Sequence, residues 1–95
     1  MSTCLSICIP RIESFVTKRY IWLSFKNVGD ILKIDLVSCG NGNKKAFVHF
    51  ICFYDNENSI NFKKIIEEGE IVKFVHSEFG WFWKCSKSRS KQILH

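Results

Sequence analysis

Lys45-Ala46-Phe47-Val48-His49-Phe50 reads as a strand. Successive strand side chains point to opposite faces, which assigns Ala46, Val48 and Phe50 to a core and turns Lys45, Phe47 and His49 the other way. The strand runs on to about Phe53. Just before it, Cys39-Gly40-Asn41-Gly42-Asn43 supplies a turn, since Gly and Asn tolerate positive φ. Across that turn, Ile31 to Ser38 sets Ile34 and Leu36 against Lys33 and Asp35, a strand apolar on one face. The two segments are read as a hairpin of adjacent strands.

Upstream, Ser6 to Ile12 carries the alternation Ile7, Ile9, and Pro10 marks where that strand's hydrogen bonding stops. Thr17 is placed to cap a helix on which Ile21, Phe25 and Val28 recur at helical spacing, with Gly29 as a left-handed exit. Downstream, Asp55 to Ser59 is dense in capping residues, Phe62, Ile65 and Ile66 form a second stripe, and Gly69 ends it. Ile71 to His76 and Trp81 to Ser86 follow as strands around a turn at Ser77 to Gly80. Trp81 and Trp83 are assigned to the core near the second helix, Phe82 and Lys84 to the face of Phe47. The order β-α-β-β-α-β, with an extra hairpin before the last strand, predicts an α+β fold. It is that of a ferredoxin-like sandwich with an antiparallel sheet, two helices on one face and the other face open.

A chain of 95 residues, 46% hydrophobic, suits one domain with its own core, here residues 1–86, followed by a basic, flexible tail at 87–95. No apolar run approaches the roughly 20 residues of a bilayer span. Met1 to Pro10 lacks the basic start and apolar run of a signal peptide, so an intracellular protein without membrane association is expected. Cys4, Cys8, Cys39, Cys52 and Cys85 are odd in number and form no CxxC pair, which predicts reduced thiols. His49 and His76, one to a strand with no carboxylate cluster, are read as plain exposed histidines, and no metal, cofactor or small-molecule substrate is expected. The net charge of +5 favours an anionic partner.

Asn43-Lys44-Lys45-Ala46-Phe47-Val48-His49-Phe50 resembles the octamer of the RNA recognition motif, matching it at Ala46, Phe47, Val48 and Phe50. Ile7-Cys8-Ile9-Pro10-Arg11-Ile12 resembles the companion hexamer. Val16-Thr17 before the first helix and Val28-Gly29-Asp30-Ile31 after it repeat the family's pattern, so the resemblance spans nearly the whole chain. It implies an open sheet face on which aromatics stack bases, at the second hexamer position and the third and fifth octamer positions. Phe47 is aromatic; Cys8 and Lys45 hold the other two positions, and Lys44 replaces a glycine.

What the resemblance implies is modest, salt-dependent binding of single-stranded RNA or single-stranded DNA by a partly degenerate platform. Its candidate residues are Phe47, Lys45, His49 and Cys8, with Phe82 replacing a lost aromatic and Lys84, Arg11 and Lys44 close by. Arg89 belongs to the tail, which reads equally as a binding arm, a nuclear address or a solvated end. The alternative is a protein-interaction module that uses the same face or the helix face, or pairs with a second copy. The combination of Ser6-Ile7-Cys8-Ile9-Pro10-Arg11, Ala46-Phe47-Val48-His49-Phe50 and Trp81-Phe82-Trp83-Lys84 followed by Ser88-Arg89 is also similar to small RNA-recognition-motif-like proteins of large double-stranded DNA viruses, which would place the chain in a host nucleus or cytoplasm. Catalysis is not expected. Cys8 near His49 has no orienting group in view, and Pro10-Arg11-Ile12-Glu13-Ser14 lacks the glycines of an acylphosphatase loop.

Overall fold

The computed structural model describes residues 5–40 and 42–88. Its elements run β1 (Leu5–Ile12), α1 (Lys18–Phe25), β2 (Gly29–Ser38), β3 (Lys44–Phe53), α2 (Glu57–Glu67), β4 (Val72–Val75) and β5 (Phe82–Lys87). The strands form one antiparallel sheet in the order β2-β3-β1-β5-β4. β1 and β2 flank β3 and are joined through α1, while β3 and β5 flank β1 and are joined through α2 and β4. Each helix therefore closes a split β-α-β unit, the two units interleave, and β2 and β4 are left as edges.

Both helices start on side-chain caps. The Thr17 hydroxyl accepts from the Tyr20 amide and the Asn56 side-chain oxygen from the Ser59 amide, contacts worth about 1 kcal/mol each. Gly69 takes the left-handed position after α2, at φ 83. Gly29 does not play that part after α1, whose C-cap is Lys26 in a right-handed conformation. Gly29 instead opens β2 opposite Phe53, so close to β3 that a Cβ there would collide with the Cys52 carbonyl oxygen. Close approach, not positive φ, is what this glycine serves.

The core lies between the helices and one sheet face. Ile21 and Phe25 of α1 and Phe62 and Ile66 of α2 pack with Ile7, Ile9, Val48, Phe50, Trp83 and Cys85 of the strands. Phe25 is its hub, stacked on Phe74 at 4.2 Å and edge-on to Phe50 and Phe62. Trp83 can be buried because its indole N–H donates to Glu13 Oε1 at 3.1 Å. Burial drives the Cys85 thiol up to about 12, so it packs as a small hydrophobe.

Several expectations are corrected. Trp81 is 53% exposed: it precedes β5 at the turn, where its carbonyl accepts from the His76 amide, and the place against Trp83 is filled by His76 and Tyr20. His76 is accordingly part-buried, stacked on Trp83 at 4.0 Å and held by the Tyr20 hydroxyl at 2.9 Å. β1 ends at Ile12 as expected, but its pairing does not stop at Pro10: it resumes at Ile12 opposite Lys44, beyond a bulge between Ile9 and Ile12. No helix among the described residues is long and apolar enough to cross a membrane.

Candidate nucleic-acid interface

The sheet face away from the helices is set by the register of its strands. Cys8 of β1 lies between Phe47 of β3 and Ser86 of β5, and Phe47 is flanked on its other side by Asp35 of β2. Lys45 pairs with Val37. On β5, Trp83 and Cys85 are buried while Phe82 and Lys84 are exposed, so alternation brings Phe82 and Lys84 to this face. The predicted Phe47, Lys45, Cys8, Phe82 and Lys84 are thus all strand-borne on one side.

The bulge adds Arg11. One extra residue between Ile9 and Ile12 leaves both Pro10 and Arg11 exposed and outward, although Ile9 and Ile12 stay in the core. Together with Phe82, Trp83 and Lys84 they line a depression of about 520 Å³. β4 supplies a further cation that sequence reasoning missed: Lys73 sits opposite Lys84, with its ammonium 5.2 Å from the centroid of the Phe82 ring. Its signal was present in the alternation of Val72 and Phe74, which forces Lys73 to the other face. Lys45 takes the same position over Phe47, at 5.9 Å.

His49 is not an exposed stacking residue. It points to this face but is 2% exposed, because it is the middle of a chain between strands. The Asp35 carboxylate only accepts, so His49 Nε2–H donates to it at 2.9 Å, and Nδ1 then accepts from the Ser6 hydroxyl at 2.7 Å. The linkage has the order of a serine–histidine–carboxylate relay. Ser6 is 6% exposed at the second position of β1, and the three side chains form a clasp across β1, β3 and β2. It also leaves no nitrogen of His49 for Cys8, whose thiol is raised by burial, partly offset by Lys45.

Lys44 is corrected as well. It follows the opposite alternation to Lys45, and its ammonium donates to the Val16 carbonyl at 3.1 Å in the loop before α1, which ties it to the helix side. Arg89 and the rest of the tail from 89 onward lie outside the described residues.

Of the two carboxylates on the described strands, Asp35 is taken by His49 and lies 3.8 Å from Lys33, and Asp30, opposite Cys52, accepts from the Tyr54 hydroxyl. Among the described residues, Arg11, Lys45, Lys73 and Lys84 form no salt bridge. The arrangement offers ring faces for stacking, ammonium groups beside them for an anion, and a small, uncharged floor at Cys8 and Ser86. No protein-family model, curated protein or solved structure matches the chain.

Proposed function

We propose that the open sheet face binds single-stranded nucleic acid, RNA or single-stranded DNA, as a partly eroded RNA recognition motif, and that the chain is a binding module and not an enzyme. The interleaved split β-α-β units support the ferredoxin-like assignment, with β4 as a strand added beyond β5. The observation that carries the reading is that two aromatics of this face each have a lysine over the ring: half-buried Phe47 has Lys45, and exposed Phe82 has Lys73. A base has a π-face that stacks on such a ring whatever its identity, and the phosphate that follows it needs a cation within reach. Phe82 restores an aromatic to a platform from which Cys8 and Lys45 have removed two. Base preference is weak in this reading, because the platform stacks and neutralises and has few groups to read base edges.

Fluorescence anisotropy with labelled single-stranded RNA, single-stranded DNA and duplex controls tests this. Single strands bind, log affinity falls linearly with log salt, and Phe47→Ala costs about 1–3 kcal/mol of binding while the fold survives. Single-strand affinity that is untouched by Phe47→Ala and by Phe82→Ala, or no binding at low salt, refutes the proposal.

A further inference from the structure

A second surface lies on the other side of the molecule, between α1 and the edge strand β2, and nothing in the core requires it. Ile21 and Phe25 supply the buried stripe of α1, yet Trp22 is 48% exposed beside them. On β2, Ile31 pairs with Phe50 and Lys33 with His49, consecutive positions of β3, so Leu32 is an extra, bulged residue that is turned out of the ladder and exposed. Trp22 and Leu32 line one groove of about 490 Å³, with Ile31 and Ile34 contributing further aliphatic lining. The charged lining is Lys18 and Arg19 from the start of α1 and Lys33 from β2, of which Lys33 already lies 3.8 Å from the Asp35 carboxylate.

We propose that this groove is a docking site for an acidic peptide segment of a partner protein, anchored by one apolar side chain. The anchor lies between Trp22 and Leu32, and flanking Asp or Glu side chains reach Lys18 and Arg19. Charge complementarity selects an acidic ligand. The lining sets one ring, Trp22, among the aliphatic side chains of Ile31, Leu32 and Ile34, a shallow surface that suits a single apolar side chain better than a run of stacked bases. β2 is also an edge strand, and an exposed sheet edge can receive an extended peptide. The site is independent of the nucleic-acid face, and each can fail without the other.

The test uses the full chain and a short fluorescent probe peptide of glutamates and aspartates around a single leucine. Two control peptides replace either the acidic residues by their amides or the leucine by serine. The acidic probe binds and both controls bind at least about tenfold more weakly. Trp22→Ala and Arg19→Glu each lower affinity about tenfold, whereas Phe47→Ala leaves it unchanged. Trp22 and Arg19 are exposed, so both variants fold, which a circular dichroism melt verifies. Four results would overturn the proposal. These are no binding of the acidic probe, equal binding of the amide probe, single-stranded RNA binding that falls with Trp22→Ala but not with Phe47→Ala, and sedimentation showing self-association that Trp22→Ala abolishes.

Discussion

Replacing His49 by alanine tests the clasp beneath the open face. The ring is 2% exposed and both of its nitrogens are hydrogen-bonded, to Ser6 at 2.7 Å and Asp35 at 2.9 Å. Loss of its packing costs about 2 kcal/mol, the lower end of large-to-small core substitutions. The buried Ser6 hydroxyl is then stranded, at about 1–3 kcal/mol. Asp35 adds little, because its side chain is 37% exposed and returns to water near Lys33. The sum, about 3–5 kcal/mol, is a large share of the roughly 5–15 kcal/mol that holds a domain of this kind folded. Urea denaturation reads it as a shift in midpoint at constant slope. His49→Phe combined with Ser6→Ala removes both polar ends while keeping the volume, and it should recover most of the loss. If His49→Ala costs less than about 0.5 kcal/mol, the value of a plain surface site, the ring is exposed and the clasp does not exist.

Gly29→Ala should destabilise by about 1–3 kcal/mol, since its Cβ meets a backbone carbonyl and the strand must shift; a melt unchanged or raised would mean that β2 does not approach Cys52 as described. His76 gives a pH signature. Burial holds its imidazole below the ordinary value of 6.5, against Glu13, which acts the other way. The folded state therefore disfavours the proton, the contribution is complete above about pH 6.5, and it is lost as pH falls from there through the lower folded value. Thermal melts between about pH 7 and 5 should fall more steeply for the native chain than for His76→Phe, and parallel curves would remove His76 as the cause.

Sequence periodicity was enough to find each strand and helix of the described residues, because each has one face committed to the core. The same logic placed Phe47, Lys45, Cys8, Phe82 and Lys84 together. What alternation does not carry is what stands across the ladder. His49 was assigned to the correct face, but its burial depends on Ser6, 43 residues away, and Asp35, 14 away. Arg11 reaches the face only through an extra residue in β1, which no period of two reports. Trp81 failed for a related reason: it sits one residue outside β5, where the alternation that buries Trp83 no longer applies. Lys44 and Lys45, adjacent and alike, are separated by the same rule onto opposite faces, and only the loop carbonyl of Val16 shows where the first one goes.

The lysines over Phe47 and Phe82 raise the question whether a base can displace them. An exposed cation–π contact is worth about 0.5–1 kcal/mol, whereas stacking a base on the ring is worth about 1–3 kcal/mol. Stacking wins, and the displaced ammonium need not lose its partner, since the phosphate attached to that base lies within reach of the same flexible side chain. The exchange is favourable on both counts, and it makes one lysine responsible for two properties. In the free protein it covers an aromatic ring of the open face; in the proposed nucleic-acid complex it would contribute to the salt dependence. An eroded platform can therefore keep affinity with fewer aromatics, provided that each one retained has its own cation, and on this face Phe47 has Lys45 and Phe82 has Lys73.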